Sequence, residues 1–205
     1  MTSVITGDII NSTKYKKPNG WLTLLKEALH YLDKTSNKWE IYRGDSFQIE
    51  IQDYATSFEA CVYLKSCIKT IKNLDVRLAI GIGEKSFEGN NVTESNGEAF
   101  VFSGRTLEEL KKEKRNLKIK TSNFDLDKTL NLYFKLASIA MDNWTTNSAE
   151  VVKLYLENQN KTQEEIAKLI GINQEAVSKR LKRAYFEEIL ELDKMFRQKI
   201  DTLKQ

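Results

Sequence analysis

The segment Ser3-Val-Ile-Thr-Gly-Asp-Ile-Ile10 sets the fold class of this chain, because it has the composition of a buried β-strand with a single charged side chain. β-Branched residues dominate it, and the polar run Asn11-Ser12-Thr13 that follows is typical of a loop. We therefore predict the first strand over residues 3–10. Asp8 then lies near the carboxyl end of that strand.

Two short alternating runs further along predict a tight β-hairpin. They are Trp39–Arg43 and Ser46–Gln52, and they flank Gly44-Asp45, a dipeptide typical of turns. Asp45 is expected at the tip. The apolar spacing before and after the hairpin predicts amphipathic helices over residues 21–32 and about 54–71.

A further strand is predicted over residues 75–83, which completes the order strand, helix, strand, strand, helix, strand. This order is that of ferredoxin-like folds, in which helices cover one face of an antiparallel sheet. Residues 86–97 are rich in Gly, Asn and Ser and predict a loop. A helix over 99–114 and an edge strand over 117–120, protected by its lysines, are expected to follow.

Beyond residue 122 the pattern becomes entirely helical, which predicts an α+β fold followed by an all-α part. We expect a sheet domain over residues 1–122, a connecting helix within 123–147 and a helical domain over 148–205.

Composition says more about the cellular location of the protein than about its function. The 205 residues carry a net charge of +3, so attraction to nucleic acid requires local clustering of basic groups. Cys61 and Cys67 are expected to be free thiols, as in a reducing cytosol. The start of the chain lacks the basic region of a signal peptide, and no apolar run reaches the length of about 18 residues that a membrane span needs, so we expect a cytoplasmic protein. The single histidine, His30, forms no triad or zinc-type pattern.

The C-terminal part contains the signals of a helix-turn-helix. Thr162-Gln163-Glu164-Glu165 is a capping box that starts one helix, Gly171 allows the turn, and Asn173 can cap a second helix from Gln174 to Tyr185. In such a module the second helix enters the major groove of DNA.

The outward side chains of that second helix are the expected DNA contacts. Base contacts are predicted for Gln174, Glu175, Ser178 and Lys179, and phosphate contacts for Arg180, Lys182 and Arg183. The alternative is a helical bundle used for dimerisation, which the acidic residues after Tyr185 favour. The amphipathic pattern from Phe186 to Leu203 predicts a long helix that can pair two chains into a homodimer.

The acids of the first domain suggest metal chemistry. Asp8 and Asp45 are expected at the same edge of the sheet, where two carboxylates can share Mg²⁺ with a substrate phosphate. The alternative is that Asp8 only caps a loop and Asp45 only tolerates a turn conformation.

Three motifs resemble those of class III nucleotidyl cyclases over roughly residues 1–120. They are Gly7-Asp-Ile-Ile-Asn-Ser12, Gly44-Asp-Ser-Phe47 and Arg77-Leu-Ala-Ile-Gly-Ile-Gly83. With the segment from Gly97 to Arg105 and the helix-turn-helix, the whole chain resembles the SatD family of bacterial proteins, which join a cyclase-like palm to such a module. The resemblance implies a metal site at Asp8, Asp45 and the Ile9 carbonyl, with Gly7 and Gly44 beside the bound ligand.

Two departures from the cyclase pattern concern catalysis. Aligned on Gly97, the chain has Val101 where cyclases have a catalytic Asn, and retains Arg105 at the position of the catalytic Arg. Ile41 replaces the Lys that selects the purine. Loss of one transition-state donor costs about 10² to 10³ in rate. The alternative for Arg105 is an exposed helix residue without a role, and we expect Lys111, Lys112, Lys114 and Arg115 to form a solvated face.

Two functions follow from these residues. The favoured one is a DNA-binding transcriptional regulator whose cyclase-like domain binds a phosphate-containing ligand, a nucleotide with Mg²⁺. The alternative is an active nucleotidyl cyclase or nucleotidyltransferase that makes a signal nucleotide.

Overall fold

The computed structural model describes residues 1–15, 19–35 and 37–204, which form a mixed α+β fold. The strands are β1 (Thr2–Ile10), β2 (Trp39–Tyr42), β3 (Ser46–Ile51), β4 (Asp75–Gly83), β5 (Lys85–Phe87), β6 (Asn96–Gly97) and β7 (Leu117–Lys120). The helices are α1 (Asn19–Leu32), α2 (Ser57–Lys69), α3 (Glu98–Glu113), α4 (Phe124–Met141), α5 (Thr146–Glu157), α6 (Gln163–Leu169), α7 (Gln174–Arg183) and α8 (Phe186–Ile200). The predicted alternation of strands and helices up to β4 is confirmed.

The main sheet has the strand order β2-β3-β1-β4-β7. Strand β3 lies between β1 and β2, which α1 connects, and β1 lies between β3 and β4, which α2 connects. These pairings are antiparallel, whereas β7 adds to β4 in parallel at the edge. The predicted edge position of residues 117–120 is therefore confirmed.

Helices cover both faces of this sheet, so the expectation of helices on one face is wrong. Ile5 and Ile9 pack in the main core with α1 and α2, whereas Val4 packs on the opposite face against α3. On that face Thr6 Oγ1 donates to Ser103 Oγ of α3 at 2.9 Å. The physical reason is that β1 is buried along almost its whole length, its polar Ser3 and Thr6 included, as expected for a strand covered on both sides.

A glycine brings α3 close to the sheet. A Cβ added to Gly81 of β4 would lie 2.2 Å from the Ala99 carbonyl oxygen and 2.5 Å from the Ser103 nitrogen. Both contacts are with backbone, so the helix would have to move away to accommodate any side chain at this position.

The segment predicted as a loop over residues 86–97 contains regular structure. Strands β5 and β6 pair as a short antiparallel ribbon, and Val92 between them is buried against Val4 and Phe100. The polar composition concealed this, because a single apolar residue anchors the segment.

One continuous core joins the sheet to the helical part. Phe58 of α2 stacks on Phe134 of α4 with ring centroids 4.9 Å apart, and Phe196 of α8 lies 6.0 Å from both rings. The predicted boundary at 122 falls just before α4, and the one at 147 falls in the first turn of α5. The division into domains stays a prediction.

The apolar face of α8 is buried within its own chain. Phe186, Ile189, Phe196 and Ile200 are each at most 3% exposed. These four side chains complete the core of the monomer, so they are not available to pair two chains, and the homodimer stays a prediction.

Two expectations about composition can be compared with the structure. Cys61 and Cys67 are free, as predicted, and both are buried. Among the helices formed by residues 1–15, 19–35 and 37–204, none has the length and apolar character needed to cross a membrane.

Candidate functional site

Asp8 lies on the central strand of the sheet, near its carboxyl end. Its Cα is directly opposite Ser46 of β3 on one side and Arg77 of β4 on the other. Asp45 immediately precedes β3, and its carbonyl oxygen accepts from the Ile9 backbone N–H at 3.0 Å. The hairpin register thus brings the loop that carries Asp45 to the end of β1.

The Asp8 carboxylate is mostly buried and incompletely hydrogen-bonded. Arg77 Nη1 donates to Asp8 Oδ2 at 3.2 Å. Within the described residues Asp8 Oδ1 has no hydrogen-bond partner, and neither has Arg77 Nε. A buried polar atom without a partner is uncommon in folded proteins and marks a position where a ligand or water is expected.

Burial raises the pKa of Asp8 above its ordinary value. The positive charges of Arg77 and Lys111 oppose this effect, whereas the negative charge of Asp45 adds to it. The negative charge of Asp45 therefore reaches Asp8, whose Cα lies opposite Ser46, the residue after Asp45. A cation bound between the two carboxylates would relieve their repulsion.

Asp45 is held by the loop of the hairpin. Ser12 Oγ donates to Asp45 Oδ2 at 2.5 Å, which connects the loop to the segment that follows β1. Arg43 and Gly44 have φ angles of 51° and 88°, so the chain turns through left-handed conformations just before Asp45. Such conformations favour glycine, which explains Gly44.

The glycine and isoleucine beside Asp8 are also explained by packing. A Cβ on Gly7 would lie 2.4 Å from Phe47 Cζ, so this glycine makes room for a core ring. The Ile9 side chain is buried in the same core. Only the backbone groups of these two residues are left to contact a ligand.

Three neighbours of the acid pair, Asp8 and Asp45, were not identified from the sequence. Arg77 pairs with Asp8, Lys111 of α3 lowers the pKa of Asp8, and Tyr42 has its own pKa raised by burial and by the charges of Glu108 and Asp8. Lys111 was expected only on a solvated face. Arg77 could have been found, because a lone cation in an apolar strand is unusual.

The cyclase-like positions on α3 and β2 lie on accessible surface. Val101 and Arg105 are exposed on α3, and Ile41 is half-buried in β2. The α3 cation whose charge acts on Asp8 is Lys111, which lies six residues after Arg105.

The residues near Asp8 fit a magnesium ion only partly. In the part of the chain that the structure describes, no group of three or more His, Cys, Asp or Glu residues can hold a metal. The protein therefore offers two carboxylates, with Oδ1 of Asp8 unengaged. Mg²⁺ commonly takes one or two carboxylates and completes its shell with water and phosphate oxygens, so the donor set suits a phosphate-bound Mg²⁺.

Helices α6 and α7 are joined by a sharp turn, and both have specific N-terminal caps. Thr162 and Glu165 form the predicted capping box, and the Asn173 side chain accepts from the Ala176 N–H at 2.8 Å. Gly171 has φ +66°, which permits the turn. The facing side of the pair is apolar and buried, comprising Ile166, Ala167, Val177 and Leu181.

The outer face of α7 is polar and exposed. Six of the seven residues predicted to contact DNA are exposed there, namely Gln174, Glu175, Ser178, Lys179, Lys182 and Arg183. Lys179 pairs with Glu175 at 2.6 Å. Arg180 is the exception, because it is half-buried and pairs with Glu150 of α5 at 3.0 Å. Among the described residues Lys182 and Arg183 have no ion-pair partner, so their charges are available to a ligand.

The large cavities lie in the helical part. One of about 610 Å³ borders α7 at Ser178 and Lys182 and reaches Glu191 of α8. Another of about 710 Å³ lies between α4 and the start of α8. Asp8 and Asp45 lie instead at the carboxyl end of the central strand β1.

The chain was compared with curated proteins, with solved structures and with protein-family models. Neither the curated proteins nor the solved structures contain a chain that matches this one. Residues 3–195, nearly the whole chain, match the SatD family. Such coverage spans both the sheet and the helices, and the chain therefore belongs to the SatD family.

Proposed function

We propose that this protein is a DNA-binding transcriptional regulator whose sheet domain binds a phosphate-containing ligand, a nucleotide together with Mg²⁺. The observation that carries the proposal is the acid pair, in which Asp8 Oδ1 is buried without a partner and the Asp45 charge is near. The proposal includes the interpretation of the sheet as a ferredoxin-like fold of the cyclase type. That interpretation is supported by the strand order and by the three cyclase-like motifs.

The surroundings of the acid pair suit a phosphate group. Arg77 and Lys111 bring positive charge to Asp8. An arginine that now pairs with a carboxylate can exchange that partner for a phosphate oxygen when a metal ion neutralises the carboxylate. We therefore assign the metal to Asp8 and Asp45, and phosphate contacts to Arg77 and Lys111.

The DNA-binding half of the proposal rests on α6 and α7, which we interpret as a helix-turn-helix. Lys182 and Arg183 end α7 on its exposed face, and Gln174 and Ser178 share its solvent side. Polar groups at the start of the second helix can read base edges while basic groups contact phosphates. Arg180 contributes less, because Glu150 already neutralises it.

Acidic residues limit the strength of this interface. Glu187, Glu188 and Glu191 are exposed on α8, and Glu187 and Glu191 border the cavity next to Lys182. They repel phosphate, so binding to arbitrary sequences is expected to be weak, with a salt slope set by the few basic groups that contact phosphates.

Fluorescence anisotropy with a labelled duplex over a salt series tests the DNA half. Lys182→Ala is expected to weaken binding to every duplex and to lower the salt slope by about one unit. Lys112→Ala, an exposed lysine of α3, is the matched control and is expected to change neither. An unchanged slope for Lys182→Ala would contradict phosphate contact at this residue.

Ligand binding at the sheet can be coupled to the helices through a buried charge cluster. Asp75 lies two residues before Arg77 on β4 and pairs with Lys65 at 2.6 Å. Lys65 also pairs with Asp142, at the end of α4, at 2.7 Å. A displacement of β4 would thus change contacts with the helical part, as a two-state regulator requires.

The second candidate is an enzyme that forms a cyclic or linear nucleotide. Retention of both acids favours it, whereas Val101 and Ile41 oppose it. Incubation with Mg²⁺ or Mn²⁺ and labelled nucleoside triphosphates separates the two functions. A product that disappears in Asp8→Ala would require an enzyme.

A further inference from the structure

Helix α4 presents an apolar stripe to solvent. Leu132, Leu136 and Ile139 follow one another at spacings of four and three residues, so they share one face of the helix. Their side chains are 56%, 56% and 67% exposed. Contiguous exposed apolar surface of this kind is uncommon in monomers and marks an interaction site.

The stripe forms one wall of the α4 groove, the cavity of about 710 Å³ between α4 and α8. Leu136 and Ile139 line it on the α4 side, and Tyr185, Ile189 and Leu192 line it on the other. Ridge and groove therefore lie side by side on the same surface. A surface that carries both can pair with its own image around a two-fold axis, each ridge entering the groove of the other copy.

The charges at this surface have both signs. Lys135 is exposed beside the stripe, and Glu188 is exposed on the opposite wall of the groove. Neither has an ion-pair partner within the described residues. A foreign helix of one charge would oppose one of them, whereas a second copy supplies a Glu188 for each Lys135 and a Lys135 for each Glu188.

We propose that the α4 groove is the interface of a homodimer, occupied by α4 of a second copy of this chain. This interface replaces the face of α8, which is buried within the monomer. Arg183 also lines the groove and ends α7, so the pairing fixes the relation between the two α7 helices of a dimer. The dimer itself does not depend on the proposal of DNA binding.

Light scattering after size exclusion, on the full chain without DNA over a series of concentrations, tests the dimer. The wild type is expected to show twice the chain mass of 23.7 kDa at high concentration. Leu136→Asp is expected to raise the dimer dissociation constant about 100-fold, because each copy places the substituted side chain in the contact. Leu169→Asp is the matched control, since Leu169 on α6 is 53% exposed and lies away from the groove.

Cross-linking gives a second test that does not require a destabilising change. Because Cys61 and Cys67 are buried, a cysteine introduced by Ile139→Cys would be the reactive thiol of the chain. A flexible bis-maleimide linker is expected to yield a covalent dimer for Ile139→Cys and not for Leu169→Cys. A wild-type monomer at every concentration would overturn the proposal. A dimer that resists Leu136→Asp, or that cross-links equally through position 169, would overturn its location.

Discussion

Asp8 and Arg77 face each other across β1 and β4, with Arg77 Nη1 3.2 Å from Asp8 Oδ2, and each retains one buried polar atom without a partner. The hydrogen-bonding capacity of the two side chains is therefore only partly used, since Asp8 Oδ1 and Arg77 Nε have no partner among the described residues. These remaining atoms make the pair suited to accept a ligand, at some cost to the stability of the unliganded protein.

Removing the two partners separately is expected to have unequal effects. Arg77→Met leaves a buried carboxylate without its cation and should lower the free energy of unfolding by about 1 to 3 kcal/mol. Asp8→Asn removes a charge that burial disfavours and should leave stability unchanged or raise it by about 1 kcal/mol. Urea unfolding of both variants and of the double variant measures the coupling. Equal losses for the two single variants would refute this description of the pair.

A substitution at Gly81 tests the close packing of α3 on the sheet. Gly81→Ala is expected to cost about 2 kcal/mol or more, because the new methyl group overlaps backbone of α3. Gly104→Ala on α3 is the control, since a Cβ there meets nothing within 4 Å, and it should stabilise the helix by about 1 kcal/mol. Thermal melts compare the two. Similar effects at both positions would indicate that α3 lies further from β4.

The pH dependence of stability is expected to involve Glu50. Burial alone would raise the pKa of Glu50, but hydrogen bonds from Lys85 and Lys38 outweigh it and lower the pKa below the ordinary 4.5. A lowered pKa means that the ionised group stabilises the fold above pH 4.5 and that this contribution disappears as the pH falls through the lowered value.

Glu50→Gln should therefore cost about 1 to 3 kcal/mol at pH 7, and the difference from wild type should shrink in acid. Glu27→Gln on the exposed side of α1 is the control, with no expected effect. Denaturant unfolding at several pH values measures this. A difference in unfolding free energy between wild type and Glu50→Gln that grew as the pH fell would contradict a lowered pKa for Glu50.

The buried lysine cluster is expected to hold the helical part against the sheet. Lys65 is 3% exposed and lies within 2.7 Å of carboxylate oxygens of both Asp75 and Asp142. Lys65→Met would leave Asp142 without its cation and Asp75 with Lys69 alone, and should cost about 3 kcal/mol. Lys26→Met, at an exposed position of α1, should cost less than about 0.5 kcal/mol. A comparably small loss for Lys65→Met would show that the cluster does not stabilise the fold.

Local sequence signals were sufficient for most of the elements, with the short strands β5 and β6 as exceptions, and insufficient for their packing. The hairpin around Gly44, the strand over residues 75–83 and the capping box at Thr162 depend on neighbours in sequence, and each is confirmed. The position of α3 on the second face depends on Gly81 and Ser103, which come together only in the folded chain. For the same reason the burial of the α8 face could not be predicted from its amphipathic pattern.

The candidate site divides in the same way. Asp8 and Asp45 stand out in sequence as acids at a strand end and a hairpin tip. Arg77 becomes their neighbour only through the register of β1 with β4, and Lys111 only through the packing of α3. A cross-strand contact of this kind needs the register as well as the residue types.

Calorimetric titration of Mg²⁺ with a panel of nucleoside triphosphates and diphosphates tests the central claim, that Asp8 and Asp45 hold a cation for a phosphate ligand. We expect a Mg²⁺-dependent binding heat for the wild type with at least one nucleotide. That heat should be lost in Asp8→Asn and in Asp45→Asn and retained in Glu27→Gln. Negligible heats for every protein, or equal binding by wild type and both aspartate variants, would contradict the claim.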